Sequence, residues 1–231
     1  MAHAHVVNGL LSLFERPRYL EIGVYEGATF IPARAARKVA VDPAIRFSRE
    51  AAEAAGESVE LHEVVSDRWF GEIAGPGDVF DVIFLDGLHT FEQTLRDLLN
   101  AMERLAPGGV ILVDDVRPDS ELAGLPDYAE ARRRHAAGEP WNGHWMGDAY
   151  RLVFFVDTFL QGWSFRCTSD NLGQMVLWRQ PRSAVRERAL AEIAGLPAAA
   201  VAEQAAVFRF APFADIRTAL AARPGLRAAE A

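Results

Sequence analysis

Two nearly continuous apolar runs, Val79–Asp86 (VFDVIFLD) and Gly109–Asp114 (GVILVD), constrain this chain more than any other feature. Runs of this length and make-up suit strands buried on both faces. Such strands belong to parallel sheets covered by helices. Three shorter segments resemble them: Arg18–Gly23 (RYLEIG), Lys38–Asp42 (KVAVD) and Val59–Val65 (VELHEVV). Helical patterns fall between them. Thr29–Arg37 follows the first strand and Ser48–Ala55 the second. His89–Leu105 follows the fourth and gathers Leu95, Leu98, Leu99 and Met102 on one face, with Pro107-Gly108-Gly109 to stop it. The alternation predicts an α/β fold: a Rossmann-like, doubly wound, mostly parallel sheet with right-handed crossovers.

The second half is less regular. Glu121–Ala137 reads as helix and Gly138–Gly147 (GEPWNGHWMG) as a loop. Asp148–Leu160 reads as a helix with Asp148 as its N-cap. Trp163–Thr168 and Gly173–Arg179 read as a C-terminal β-hairpin joined by Ser169-Asp170-Asn171-Leu172. From Pro181 the chain is an Ala/Arg-rich helical tail, broken at Gly195-Leu196-Pro197 and near Pro212. Residues 1–180 are therefore expected to form the main domain. Residues 181–231 form an extension, with Phe208, Phe210 and Phe213 available to pack on that domain or on a second copy in a homo-oligomer.

Composition excludes several classes. A chain of 231 residues buries a sizeable core without staples. The single cysteine, Cys167, rules out an intramolecular disulfide framework and a cysteine-clustered metal site. Lys and Arg number 24 against 32 Asp and Glu, a formal charge of −8, which argues against a nucleic-acid partner. Runs such as Val153–Val156 are too short to cross a bilayer, so no membrane partner is expected. Met1–Asn8 has no basic stretch of the signal-peptide kind, and a cytoplasmic protein is expected. His3 and His5 are expected in a frayed or docking N-terminus.

Chemistry concentrates at the strand ends. In Glu21-Ile-Gly-Val-Tyr-Glu-Gly27, Gly23 and Gly27 permit a tight turn and close approach of a ligand to backbone. Asp42 closes the second strand, where an acid commonly accepts hydrogen bonds from ribose hydroxyls; the plainer reading of Asp42-Pro43 is a strand-end turn. Together these features favour a nucleoside cofactor. Tyr25 stands where a dinucleotide site needs its second glycine, so a cofactor without a pyrophosphate is expected.

Asp86 ends the fourth strand, His89 follows three residues later, and Asp114-Asp115 ends the fifth. Neighbouring strands lie about 5 Å apart, which would bring these carboxylates to one small volume. Carboxylates that close repel unless a cation sits among them, and an all-oxygen set suits Mg²⁺. His89 at the rim is a candidate general base. The plainer alternatives are a helix cap for Asp115 and a water-exposed helix-start histidine for His89.

The segments Tyr19–Phe30, Ser66–Phe70 (SDRWF), Asp81–Asp97 (DVIFLDGLHTFEQTLRD) and Pro107–Val116 (PGGVILVDDV) resemble class I S-adenosylmethionine-dependent methyltransferases. Within that class they resemble the metal-dependent O-methyltransferases of the catechol type and the macrocin type, which methylates sugar hydroxyls. The resemblance spans roughly Arg18 to Arg179. It implies that Glu21, Gly23, Tyr25 and Gly27 line the methionine end of the cofactor, with Asp86 beside it. It implies that Asp42 holds the ribose, and that Ser66 and Asp67 lie near the adenine. It also implies that Asp86, Asp114 and Asp115 bind Mg²⁺. The catechol type has lysine at the position of His89, whereas the macrocin type has histidine. The catechol type has Asp-Asn where this chain has Asp114-Asp115.

The expected reaction is methyl transfer from S-adenosylmethionine to a hydroxyl of a sugar-bearing or phenolic small molecule, with His89 taking the proton. Trp141, His144 and Trp145 would wall the acceptor, or the two tryptophans would anchor their loop in the core. Three rival readings stay open at this point. They are a metal-independent methyltransferase, a nucleotide-linked oxidoreductase and a non-catalytic cofactor-binding protein.

Overall fold

The computed structural model describes residues 2–53, 56–171, 173–183 and 186–223. Its strands are β1 (Arg18–Ile22), β2 (Ala35–Val41), β3 (Gly56–His62), β4 (Phe80–Leu85), β5 (Leu105–Val113), β6 (Trp163–Cys167) and β7 (Met175–Arg179). Their order is β3-β2-β1-β4-β5-β7-β6. β1 pairs in parallel with β2 and β4, and β2 with β3. β6 and β7 are antiparallel, with Trp163 opposite Arg179 and Cys167 opposite Met175. This is the expected α/β fold with a mostly parallel sheet and a C-terminal hairpin. The order reverses between β1 and β4, and ligands of open α/β sheets bind outside the carboxyl ends of strands at such a reversal.

The chain divides into two compact units. The first comprises the residues up to Gly87, Arg96–Leu112 and those from Phe213 onward; the second comprises Leu88–Leu95 and Val113–Pro212. In the first, α1 (His3–Leu11) buries Val6, Val7, Leu10 and Leu11. That four-residue repeat is itself a helical signal in the sequence. His3 meets Phe84 edge-on, and His5 meets Phe213 of α10 (Phe213–Ala221), so the N-terminus docks rather than frays.

The helix expected over Thr29–Arg37 does not form. Residues 28–32 make turns, and β2 begins already at Ala35. Only Ile31 N–H reaches back four residues, to Gly27 O at 2.9 Å. Pro32 supplies no N–H and biases Ile31 away from helical geometry. Lys38 Nζ then donates to Phe30 O and Ile31 O, both at 3.1 Å, and closes the turn from β2.

Other boundaries move less. The second expected helix is α2 (Arg49–Glu53), and its expected last two residues, Ala54 and Ala55, lie outside the described residues. β3 starts and ends about one turn earlier than expected and is followed by the short α3 (Ser66–Arg68) and a wide helical turn over Trp69–Ile73. α4 (Phe91–Glu103) ends before β5, which takes in Pro107-Gly108-Gly109 as strand rather than as a stop signal.

In the second unit, α5 (Tyr128–Ala136) starts later than the expected Glu121, because Gly124 and Pro126 interrupt the pattern. Asp127 caps it, accepting from Ala129 N–H at 2.7 Å and Glu130 N–H at 3.3 Å. α6 (Arg151–Phe159) is followed by the β6–β7 hairpin, whose expected turn residue Leu172 lies outside the described residues. α7 (Leu190–Ala194), α8 (Ala200–Glu203) and α9 (Ala205–Phe208) follow. The breaks at Gly195–Pro197 and Pro212 fall where expected; residues 224–231 of the tail lie outside the described residues. Among the described residues no helix is long and apolar enough to cross a membrane.

Candidate active site

The turn after β1 is built around glycine. Gly23 has φ +87°, and a Cβ there would sit 1.9 Å from Asp86 O, the residue that directly follows β4. Asp86 N–H donates to Ile22 O at 2.8 Å, so the two strand ends are laced together at the topological reversal. Gly27 has φ +77°, and a Cβ there would meet Phe47 and Ile31 at 2.7 and 2.8 Å. Tyr25 between them also has positive φ, 39°, and half its ring is exposed under the Arg46 guanidinium.

Glu21 is buried on β1 and accepts from Tyr19 Oη at 2.5 Å. Burial, then the Glu21 charge and hydrogen bond, pushes the Tyr19 phenol well above its ordinary range, with a smaller push from Asp86. Lys38, fully buried, is pulled down to about 8 by burial, against an opposing pull from Glu21. In the sequence Lys38 carries a single signal, a cation in a strand that has to be buried.

Asp42 stands at the end of β2 as expected, and its carboxylate is already engaged in turning the chain. Oδ2 accepts from Tyr25 N–H at 2.9 Å and Oδ1 from Ala44 N–H at 2.7 Å. Each oxygen keeps a second lone pair. Asp42 thus serves as both the strand-end turn and a wall of the glycine turn. Ser66 and Asp67 open α3 after β3, Ser66 half-buried and Asp67 exposed.

In the second unit the structure joins His89 to Asp115. His89 Nδ1 lies 2.7 Å from Asp115 Oδ2, with the side chains 24% and 14% exposed. Burial is the largest single influence on the imidazole and lowers its pKa. The Asp115 hydrogen bond and the charges of Asp115 and Asp114 outweigh it, so His89 holds its proton more tightly than an ordinary histidine. Asp114 is buried, and its Oδ1 accepts the Asp115 N–H at 2.9 Å. His89 is therefore neither a loose surface histidine nor an isolated base.

Asp148 does not cap its own helix. Its Oδ1 accepts from Phe91 N–H, the first residue of α4, at 2.7 Å, and its other oxygen pairs with Arg151. Gly147, with φ +59°, sits against the backbone of His89: a Cβ there would fall 1.9 Å from His89 O. These two neighbours fix the start of α4 from a segment far along the chain, and spacing in the sequence does not reveal them.

Trp145 meets His89 edge-on, ring centres 5.7 Å apart, and leans on Tyr128 at 5.5 Å. Trp141 meets Tyr128 at 6.1 Å. Both indole N–H groups are tied to backbone, Trp145 to Leu125 O and Trp141 to His144 O, while the His144 side chain is exposed. The tryptophans anchor their loop, and Trp145 keeps a partly open ring surface beside His89.

A family model described as a methyltransferase domain matches residues 20–116. That segment is similar to a methyltransferase domain. The match runs from β1 through the Asp114-Asp115 pair and takes in the glycine turn, Asp42, Asp86 and His89. No curated protein matches the chain. Among solved structures it is similar to a candidate caffeoyl-CoA O-methyltransferase from Staphylococcus aureus. That protein is 12% identical over 76% of this chain and 82% of that one, with a TM-score of 0.50. It is similar also to the O-methyltransferase TomG of Streptomyces achromogenes, at 20% identity over 77% and 79% with a TM-score of 0.44. An O-methyltransferase from Bacillus cereus is 17% identical over 77% and 80%, with a TM-score of 0.47. At such identities the first likeness speaks to the fold alone. The methyltransferase expected from the motifs is borne out by the match over residues 20–116.

Proposed function

We propose that this methyltransferase acts on oxygen, moving the methyl group of S-adenosylmethionine to a hydroxyl of a sugar-bearing or phenolic small molecule, with His89 as the general base. The observation that carries the reading is the His89–Asp115 pair at 2.7 Å within a methyltransferase domain. A hydroxyl must lose its proton as it attacks the methyl carbon, and a sulfonium needs no acid to leave. The demand on the protein is therefore one base, one alignment and a pocket that excludes water. His89 takes the hydroxyl proton at Nε2 as the O–C bond forms and the C–S bond breaks. Asp115 holds Nδ1–H and offsets the charge of the imidazolium.

On the cofactor side, the Gly23–Gly27 turn gives the close approach, Glu21 and Tyr25 line the methionine end, and Asp42 offers its remaining lone pairs to the ribose. Ser66 and Asp67 stand on the adenine side. Trp145, Trp141 and His144 are placed on the acceptor side.

Mg²⁺ belongs to the same proposal. The donor chemistry fits it: Asp86 follows β4 and Asp114 follows β5, each offering carboxylate oxygen, and Asp115 is the next residue after Asp114. A bound Mg²⁺ would lower the acceptor hydroxyl's pKa and orient it. The engagement of Asp115 by His89 also favours a second reading, in which the base works without a metal. Cytoplasmic location, a small-molecule acceptor as partner, and self-association through the tail complete the proposal. The absence of nucleic acid and membrane from its partners rests on composition alone.

Methyl transfer from labelled cofactor to a panel of sugar and phenolic acceptors, with and without excess chelator, tests this. Chelator-sensitive transfer restored by Mg²⁺ supports the metal reading, and full activity in chelator sinks it. Transfer to nitrogen or carbon acceptors only would overturn the hydroxyl assignment.

A further inference from the structure

Far from these residues in sequence, the second unit gathers three arginines around one carboxylate. Asp157 on α6 is buried. It accepts from Arg182 Nη1 at 2.9 Å and Arg209 Nη2 at 2.8 Å, and Arg188 Nη1 lies 3.9 Å from its other oxygen. Arg182 follows β7, Arg188 precedes α7 and Arg209 follows α9 at φ +50°, so the cluster ties the C-terminal segment to α6.

The charges do not balance. Three guanidinium groups face one buried aspartate, and among the described residues the other carboxylate paired with them, Glu192, is 57% exposed and 3.8 Å from Arg188 Nε. Arg182 spends its donors well: it also caps the end of α6, donating to Val156 O at 2.7 Å and to Trp163 O at 2.6 Å. Arg188 donates from Nη2 to Gln204 Oε1 at 2.6 Å, and Arg209 from Nη2 to Asp157, but neither uses its other terminal nitrogen in a hydrogen bond. Arg188 is 7% exposed and Arg209 is partly open to solvent, yet the Nη1 atom of each is buried without a hydrogen-bond partner. Both guanidinium planes stand over aromatic rings, Arg188 over Phe154 at 5.1 Å and Arg209 over Phe165 at 4.4 Å, which keeps water from one side. A buried cation with an unused donor is costly, and the cost falls when an anion accepts from it.

We propose that the Asp157 cluster is a binding site for a small inorganic anion, phosphate or chloride, held by the unused Nη1 donors of Arg188 and Arg209. Two planar guanidinium groups suit an oxyanion geometrically, and a halide satisfies the same donors by charge. The bound anion locks residues 188–209 onto α6 and stabilises the folded chain by mass action.

Thermal unfolding of the full chain tests this, with phosphate or chloride titrated at constant ionic strength against the bulky anion of HEPES. The expected result is a rise in Tm of several degrees that saturates, and the ion that saturates at lower concentration is the better occupant. Arg188→Met and Arg209→Gln are each expected to abolish the saturable rise. Asp157→Asn is expected to lower Tm in the absence of anion and to recover much of the loss at saturation. A purely structural role for Asp157 does not predict that recovery. A Tm that follows ionic strength alone overturns the site, as does a saturable rise retained in Arg209→Gln. Should Arg188→Met fail to fold, the partly exposed Arg209 still localises the effect.

Discussion

His89 and Asp115, joined Nδ1 to Oδ2 at 2.7 Å, both hold their backbones in the left-handed region, at φ 60° and 59°. A side-chain-bearing residue there costs of order 1 kcal/mol or more, and such residues gather at functional sites, where the surroundings over-determine them. The surroundings here are specific. Asp115 N–H is held by its own neighbour Asp114, and His89 O is backed by Gly147. The pairing commits Nδ1 of His89 to Asp115.

Removing either partner tests what the pair does. His89→Gln is expected to lower kcat by about 10²–10⁴ while leaving cofactor affinity near that of the parent. Asp115→Asn is expected to keep the ring in place but lose much of the charge that supports the imidazolium. Its kcat should fall less than that of His89→Gln. Isothermal titration with S-adenosylhomocysteine, run beside steady-state rates, separates loss of turnover from loss of binding.

The same pair sets a pH dependence. His89 must be neutral to accept a proton, and its pKa is raised above the ordinary 6.5 by Asp115 and Asp114 despite burial. The rate should therefore climb with pH along a limb centred above that of a free histidine. In Asp115→Asn the larger raising charge is gone while desolvation and the Asp114 charge remain, so the limb should move to lower pH. A profile of kcat against pH for both proteins reads this directly; an unmoved limb would assign the titration to another group.

What was legible in the sequence follows from physics that is local. Val79–Asp86 and Gly109–Asp114 declared their strands, because a strand buried on both faces has to be apolar throughout. Gly23 and Gly27 declared a turn, and both have the positive φ that the turn requires. Asp86, His89 and Asp114 could be placed by counting from strand ends. The remainder depends on contacts between distant segments. Asp148 looked like the cap of the helix beside it, yet it caps α4 because the chain returns there. The expected helix at Thr29–Arg37 gave way to Pro32 and to early pairing of β2. Spacing places Asp115 among the strand-end carboxylates, but no spacing rule reveals that it also meets His89 Nδ1.

Gly147 offers a test of positioning without touching a reacting group. A Cβ there would fall 1.9 Å from His89 O, and the backbone already sits at φ +59°. Gly147→Ala is expected to push the His89 backbone aside and lower kcat by ten-fold or more, since misplacement of about 1 Å can cost 10² in rate. Cofactor affinity should change little, because the glycine turn after β1 lies elsewhere in the chain. A drop in both together, with a fall in Tm of many degrees, would mean that the substitution unfolds the segment rather than misplacing the base.

Lys38 allows a prediction about stability alone. It is buried on β2, bonded to Phe30 O and Ile31 O, and its pKa is pulled down to about 8 chiefly by burial, with Glu21 pulling the other way. An unfolded lysine titrates near 10.4. Between pH 8 and about 10 the unfolded chain therefore binds more protons than the folded one, and stability rises with pH across that window. The whole effect is at most roughly 3 kcal/mol. Above pH 10 the Tyr19 phenol, held protonated in the fold, reverses the slope. Lys38→Met should remove the rise between pH 8 and 10. At pH 7 it also takes away a counter-charge of Glu21 and both bonds that close the 28–32 turn, a loss of about 1–3 kcal/mol against which relief from burying a cation is set. Urea unfolding at pH 7, 8, 9 and 10 for both proteins separates the two contributions, because only the first depends on pH. A slope that survives in Lys38→Met would place the titrating group elsewhere in the first unit.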